Sequence, residues 1–499
     1  MTYAFRVDSS TRIGTGHLVR CLSLAKELRS RGEGSIFLCQ HLDGNVISQV
    51  LDAEFEVLRM DINPSDHNVA ELQDATEFLR LIRALSISSV IVDHYDLSLA
   101  WEEMVGQQVD QVMVIDDFVH RQHHCDLLLN QNLVPPNDHS FSISQHGAER
   151  TLIGPKYALL QQEYALLRSI RSLQDSAVER ISVFMGGSDP DNITELVVRA
   201  LLDMGLKDIA IDVVVGSANP HRTKLQATFE DHPSINFHSK LSSLAPLLNS
   251  SNLAIGAGGT TNWERMCLGV PSVVVDIAEN QREICVELAR VGLIEHIGSA
   301  LSIKSVNIQN AVEKLCSDQS LRRQFSWKGQ VTVDGFGANR VVETLLPSDQ
   351  SSLSLRTGRL RDIALYFNWV NESTVRQNSI NSEPITWLEH QAWFLSRINN
   401  PDCRMFVICA GDLPIGQVRF DKSGETWTID YSLDEFVRGR GWGKLLVGLA
   451  LAEFRKSTTA KVVAHVKTSN SASRQVFQEL NFSTSAHSTE GTEQFELII

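Results

Sequence analysis

The sequence predicts an α/β protein in which two doubly wound, Rossmann-like units stand in tandem, followed by a separate α+β domain. Three observations predict it. The chain opens as an apolar strand over 3–7, breaks on Gly14 and Gly16, and resumes as a helix with apolar residues at Leu18, Leu22, Leu24, Ala25 and Leu28. The same strand-glycine-helix plan returns at 181–185, where the strand runs into Gly186-Gly187-Ser188-Asp189-Pro190 and a helix follows from Asn192. Finally, a polar, small-residue stretch at 346–358 separates these units from a run of antiparallel strand patterning.

Composition sets the outer bounds. At 499 residues the chain has room for about three units of roughly 150 residues each. Its 43% hydrophobic and 21% charged residues are those of a soluble globular protein. A net charge of −15 and a pI near 5.5 leave no basic surplus to neutralise phosphates in bulk, so nucleic acid is not an expected partner, although a local basic pocket for a diphosphate is compatible. The start lacks a basic leader region and no apolar run reaches the ~20 residues of a membrane span. A cytoplasmic location and no membrane partner are therefore expected. The eight cysteines are scattered with no C-x-x-C pair, so reduced buried thiols are expected rather than a zinc site or a disulfide framework.

Over residues 1–155 short strands (4–7, 35–39, 55–57, 90–92, 112–115) alternate with helical segments (18–29, 46–51, 71–85, 101–105), which predicts a parallel sheet covered on both faces. Chemistry in such a sheet gathers at the carboxyl ends of strands, where Asp93-His94-Tyr95 and Asp116-Asp117 fall. An acid at such a position also serves as a helix cap or a satisfied turn. The run His123-His124-Cys125-Asp126 has metal-binding residue types, but neighbours in an extended segment point to opposite sides, so no metal is expected.

The turn after the first strand is the most informative stretch. Gly14 and Gly16 let a ligand approach the backbone amides closely, and His17, with Asp8 and Arg20 near it in sequence, can take or hold a proton near neutral pH. Arg6, Asp8, Ser10, Ile13, Gly14, Gly16, His17, Arg20, Cys21, Leu22, Leu24 and Ala25 fit the pattern R-x-D-x-S-x-x-I-G-x-G-H-x-x-R-C-L-x-L-A. In this the chain resembles the UDP-sugar hydrolases of pseudaminic-acid synthesis. The resemblance implies water attack at the anomeric carbon by an inverting, metal-independent enzyme, with His17 as base, Asp8 beside it, and Arg6, Gly14, Gly16 and Arg20 at the substrate.

The second unit, 156–345, carries the richer loop. After a strand at 253–255 come Gly256-Ala257-Gly258-Gly259-Thr260-Thr261-Asn262-Trp263-Glu264, and the amides and hydroxyls of Gly258 to Thr261 suit a diphosphate at a helix start. Glu264, one turn on, can accept from a ribose hydroxyl pair. The pattern resembles the nucleotide half of GT-B enzymes, above all the peptidoglycan N-acetylglucosaminyltransferase, in which a glycine loop and a following glutamate hold UDP. Ala278-Glu279-Asn280-Gln281 matches the A-x-N-Q of the hydrolase family and places Asn280 and Gln281 toward the sugar, with Gly187 and Ser188 also at the ligand. Asn262 departs from the Thr or Ser expected there, without consequence for UDP.

Beyond the linker, strands at 405–409, 416–420 and 427–433 lead into Arg438-Gly439-Arg440-Gly441-Trp442-Gly443-Lys444 and a helix to Phe454. This R-x-x-G-x-G loop, with Asn470, Ser473, Val476, Phe477, Leu480 and Phe482 further on, resembles the GNAT acetyltransferases over 353–499. The resemblance implies acetyl-CoA as cosubstrate, its pyrophosphate on the loop amides and its pantetheine arm at Asn470. Phe477 stands where that family has a tyrosine acid, and Phe cannot donate a proton. Water, Tyr431 or another group would serve, or the thiolate leaves unassisted. Asp430 and Glu425 are candidate bases.

The two resemblances together imply a bifunctional enzyme that acetylates the 4-amino group of a UDP-linked trideoxy sugar and then hydrolyses the glycosyl–UDP bond. The rivals are a GT-B glycosyltransferase with an appended acetyltransferase, and a UDP-sugar-sensing protein acetyltransferase.

Overall fold

The apolar segments of the first 155 residues align as a parallel sheet of seven strands: β1 (Thr2–Val7), β2 (Gly34–Cys39), β3 (Glu56–Arg59), β4 (Ile87–Asp93), β5 (Gln111–Ile115), β6 (Leu127–Asn130) and β7 (Arg150–Ile153). The computed structural model describes residues 1–62, 67–118, 121–134, 147–171, 177–216, 218–238, 241–349, 352–485 and 491–499. Strand order is β3-β2-β1-β4-β5-β6-β7. Direction of winding therefore reverses between β1 and β4, which opens a crevice beyond their carboxyl ends. Ala4, Leu38, Val90, Val92, Val112 and Val114 pack with Phe78 and Trp101 of the covering helices, and burial on both faces explains the unbroken apolar runs.

A second parallel sheet follows, with β8 (Arg180–Phe184), β9 (Ala210–Val214), β10 (Ile235–His238), β11 (Leu253–Ala257), β12 (Ser272–Asp276) and β13 (Glu295–Ser299) in the order β10-β9-β8-β11-β12-β13. Its reversal lies between β8 and β11. The two glycine loops singled out in this half, at 186–188 and 256–261, follow those two strands and flank the second crevice. The two sheets belong to one compact unit, Met1–Val342. The helix Gly337–Leu345 begins in this unit and returns to its first half, where Asn339 Nδ2 donates to Glu27 Oε1 of the helix Gly16–Ser30 at 2.6 Å, both buried. This is the GT-B-like arrangement of two Rossmann-like domains.

The second unit, Glu343–Ile499, holds a mixed sheet: β14 (Leu353–Thr357), β15 (Cys403–Ala410), β16 (Leu413–Ser423), β17 (Thr426–Leu433), β18 (Lys461–Lys467), β19 (Ser483–Thr484) and β20 (Thr492–Ile498), ordered β14-β15-β16-β17-β18-β20-β19. The expected linker at 346–358 is shorter than its composition implied, because Leu353–Thr357 pairs with β15 as an edge strand. Small polar residues on its outer positions hide the strand. The central pair, β17 and β18, is parallel and hydrogen-bonded only from Thr426 to Thr428 against Lys461 to Val463. Beyond Thr428 the two strands diverge. Among the described residues no helix is long and apolar enough to cross a membrane.

Candidate functional site

In the first unit the site is built at the crevice between β1 and β4. Gly14 adopts φ +85°, in the region open to glycine, and lets the chain turn from β1 into the helix that carries His17 and Arg20. His17 Nδ1 lies 2.6 Å from Asp93 Oδ1 at the end of β4. Arg20 grips the same carboxylate through Nε at 2.6 Å and Nη2 at 2.7 Å, and chelates Asp117 through Nη1 at 2.9 Å to both oxygens. Asp117 also accepts from Tyr95 OH at 2.6 Å and Asn132 Nδ2 at 3.0 Å. Tyr95 sets its ring edge against His17, centroids 4.5 Å apart, and its hydroxyl is 3.3 Å from Asn280 Nδ2 of the second half. Burial alone would raise the carboxyl of Asp93, but Arg20 and His17 hold it far below the usual range. Asp117 is likewise lowered by Arg20 against its burial.

Arg20 Nη2 also lies 3.2 Å from His17 Nδ1; a proton held on Nδ1 for Asp93 would leave Nε2 as the free nitrogen. The acid set against His17 is therefore Asp93. This corrects the expectation for Asp8. That carboxylate is 1% exposed and fully engaged by Arg6, the Gln40 amide at 2.7 Å and His94 Nε2 at 3.1 Å. Arg6 is corrected with it: it is 0% exposed and forked onto Asp74 at 2.6–3.0 Å, so it presents no surface to the crevice. These two hold the floor beneath the site, since Asp74 also accepts from Trp101 Nε1 at 2.9 Å.

The glycine loops of the two halves meet. A Cβ on Gly16 would stand in ordinary contact, 3.4 Å from Thr260 Oγ1, whereas one on Gly187 would stand 2.6 Å from Thr15 Oγ1, too close for a side chain unless Thr15 shifted. Gly187 and Ser188 form the turn after β8, and Gly258, Gly259 and Thr260 lead from β11 into the helix Thr261–Cys267. A Cβ on Gly258 would meet Cys285 Sγ at 2.2 Å. Asn262 points inward to Arg265 Nη2 at 2.5 Å, as Thr261 Oγ1 does to Arg265 Nη1 at 3.2 Å. Gln281 accepts from the Ile277 amide at 3.1 Å and so shapes the turn, whereas Asn280 is exposed toward Tyr95.

Glu264 lines a small cavity with Arg20, Gln131, Gln161, Thr260 and Trp263. Burial pushes its carboxyl up to about 7, against a hydrogen bond from Tyr164 and the charge of Arg265. Its Oε2 is buried without a hydrogen-bond partner. An acceptor withheld from water and left open costs free energy unless a ligand donates to it.

In the second unit a cavity of about 900 Å³ occupies the gap where β17 and β18 diverge. It is lined by Asp430, Tyr431, Arg438, Gly439, Gly441, Trp442, Gly443, Lys444, Asn470, Ser473 and Phe477. Strand register fixes what faces where. Arg419 pairs with Asp430 and Gln417 with Ser432, so these share the face covered by the helix Trp387–Ile398, while Tyr431 falls on the opposite face. Gln417 Nε2 donates to Asp430 Oδ1 at 2.9 Å, and Arg419 lies over the Trp393 ring at 4.8 Å. On the other face Tyr431 OH donates to Ser473 Oγ at 3.0 Å, with its ring on Phe477 at 5.8 Å, and burial raises its hydroxyl.

Phe477 itself is 2% exposed against Phe482 and Phe495. Asn470 caps the helix Ser471–Glu479, accepting from the Ser473 amide at 3.1 Å. Arg438 is paired with Glu372 at 2.6 Å, Arg440 with Glu343 at 2.7 Å and Lys444 with Glu479 at 3.4 Å. Glycines 439 and 441 have φ +80° and +73°. Glu425 is corrected: it sits exposed in the β16–β17 turn, outside the cavity.

The fold defines the class: a GT-B-like pair of Rossmann-like domains followed by a GNAT domain. Residues 352–483 match the acetyltransferase (GNAT) domain family. The chain is 27% identical over 296 residues to the UDP-2,4-diacetamido-2,4,6-trideoxy-beta-L-altropyranose hydrolase of Campylobacter jejuni, covering 58% of this chain and 97% of that enzyme. It is 24% identical over 341 residues to the spore coat polysaccharide biosynthesis protein SpsG of Bacillus subtilis, 68% of this chain and 96% of that protein. An uncharacterized protein of Methanocaldococcus jannaschii matches at 23% identity over 496 residues, 97% of this chain and 96% of its own length. The first unit is therefore similar to a sugar-nucleotide hydrolase, and the second is a GNAT acetyltransferase domain.

Proposed function

We propose that the protein is a bifunctional nucleotide-sugar enzyme of pseudaminic or a related nonulosonic acid synthesis. Its GNAT domain transfers acetyl from acetyl-CoA to the 4-amine of UDP-4-amino-4,6-dideoxy-N-acetyl-altrosamine. Its first unit then hydrolyses the product to 2,4-diacetamido-2,4,6-trideoxy-altrose and UDP. The observation that carries the reading is the His17–Asp93 pair, facing a second-half glycine loop that ends in an unsatisfied glutamate oxygen.

In hydrolysis, His17 Nε2 takes the proton of a water as its oxygen bonds to the anomeric carbon, and the carbon–oxygen bond to UDP breaks. Asp93 stabilises the imidazolium, and the amides of Gly258 to Thr261 receive charge growing on the diphosphate. UDP is a good leaving group and needs no acid. Glu264 accepts from the ribose hydroxyls.

In acetyl transfer, the two faces of β17 divide the work. Asp430 stands on the acceptor face as base for the amine, and Tyr431 stands on the other face, where it donates to the departing thiolate in place of the tyrosine absent at Phe477. The coenzyme pyrophosphate lies on the amides of residues 438–444. No metal is invoked in either step. Incubation with UDP-4-amino sugars, with and without acetyl-CoA, and product masses, tests the whole: an added 42 Da followed by release of UDP is expected.

A further inference from the structure

The run His123-His124-Cys125-Asp126 takes no part in the chemistry above, yet it ends in a buried charge cluster one residue from the site. His123 is 3% exposed. Its Nδ1 is hydrogen-bonded to Glu102 Oε1 of the helix Leu99–Gly106 at 2.8 Å, and its Nε2 lies 3.2 Å from Asp116 Oδ2 just after β5, an ion-pair distance without hydrogen-bond alignment. Both carboxylates are buried as well, at 1% and 2% exposed. Glu102 Oε2 accepts from the His124 amide at 2.6 Å, and Asp116 Oδ1 accepts from the Phe118 amide at 2.9 Å. Asp116 thus bridges its own carboxylate over Asp117, the residue that holds Arg20 and Tyr95.

We propose that His123 is a positioning residue for the hydrolytic site: as a cation between Glu102 and Asp116 it fixes the turn that carries Asp117, and through Asp117 the chain Arg20–Asp93–His17. The inference rests on the reading of His17 as the base. Charge balance supports the cation. Facing His123 are Glu102 from the helix and Asp116 from β5, while on its own segment Arg121 stands 3.3 Å from Asp116 and the buried Cys125 thiol is held un-ionised by its surroundings. Two carboxylates against Arg121 and a charged imidazole make a neutral group, whereas a neutral imidazole leaves one buried negative charge over.

A neutral imidazole keeps one N–H, at Nδ1 for Glu102, and loses the charge that holds Nε2 against Asp116. The longer contact, to Asp116, is the one lost, and the 116–118 turn is released. Burial would push the imidazole down, but Asp116 and Glu102 hold it up at about 9. The folded pKa exceeds the unfolded one, so the stability that the charged clamp contributes is fully present below about 6.5 and is lost as pH rises through about 9, where the cation itself disappears.

The test uses the full chain with imidazole-labelled histidines, followed by NMR from pH 6 to 10.5 alongside UDP release. Expected are a His123 titration near 9, a second inflection in the His17 signals at the same pH, and an alkaline fall in kcat with KM little changed. Glu102→Gln removes one carboxylate and should move all three to lower pH by about one unit, while activity at pH 6.5 persists. Asp116→Asn is the second variant should Glu102→Gln fold poorly, and it should likewise move the His123 titration down. A merely structural His123 would lower thermal stability in either variant and leave the His17 inflection where it was, which overturns the proposal. So would a His123 that is neutral at pH 7. Absence of UDP release with the two histidines still titrating together would leave the link standing and remove the hydrolase reading instead.

Discussion

At the scale of single residues the first question is whether His17 works with Asp93. If it does, His17→Ala should lower UDP release about 10²-fold or more, and Asp93→Asn should follow it, because an amide no longer holds the imidazole in the tautomer that leaves Nε2 free. Acetyl transfer should continue in both variants. Hydrolysis near the wild-type rate in Asp93→Asn would return the orienting role to another acid. Glu264 gives a second prediction. Its Oε2 has no partner, so loss of a charge-assisted ribose contact in Glu264→Ala should weaken UDP by roughly 1.5–3 kcal/mol in calorimetry. With the carboxyl raised to about 7 by burial, UDP affinity should fall as pH drops from 8 to 6, and that slope should vanish in Glu264→Gln. The folded protein alone moves oppositely: a carboxyl raised on folding binds its proton more tightly there, so its contribution to stability grows as pH falls from about 7 toward 4.5. An affinity flat across that range would mean that the carboxylate does not face the ligand.

At the scale of elements, the alternation of side chains along β17 puts the two proposed roles, of Asp430 and Tyr431, on opposite faces. Asp430→Asn should raise the pH needed for acetyl transfer and lower kcat. Tyr431→Phe should lower kcat by roughly 10- to 100-fold with KM for the amine unchanged, the signature of a group that acts on the leaving thiolate. Equal effects of both variants on KM for the amine would argue that they share one face of the reaction. The elements also explain what the sequence could disclose. The glycine loops at 14–17, 186–188, 256–261 and 438–444 were legible because each is a local break between a strand and a helix, and all four follow the strands that frame the crevices or the splayed gap. Asp93 and Asp117 were visible as strand-end acids but not as partners of residues 76 and 97 positions away. Their pairing depends on β1 lying beside β4, a crossover that sequence order does not state. Asp8 misled for the complementary reason: proximity along the chain placed it with His17, whereas its carboxylate is taken up by Arg6, the Gln40 amide and His94 at the strand ends. Strand β14 was lost in a polar stretch because an edge strand needs only one apolar side.

At the scale of the whole molecule there are two compact units with separate cores and separate glycine loops, to which the proposed function assigns a sugar nucleotide and coenzyme A. The prediction at this scale is one of order. The proposed acetyl transfer changes the 4-substituent from an ammonium to an acetamide, which removes a charge and adds a carbonyl acceptor. A hydrolytic site that donates to that carbonyl loses a partner when offered the ammonium, and it must also desolvate the charge. Such a mismatch of one hydrogen bond plus one buried charge is large enough to suppress turnover, whereas a difference in size alone would be worth only about 1–3 kcal/mol. The intact protein should therefore release little UDP from the 4-amino sugar until acetyl-CoA is added, and should release it from the pre-acetylated sugar without acetyl-CoA. His17→Ala should accumulate the acetylated UDP-sugar, visible by mass, since only the second step is blocked. UDP release at equal rates with and without acetyl-CoA would show that hydrolysis ignores the 4-substituent, and the ordered reaction would have to be abandoned while each separate activity stood.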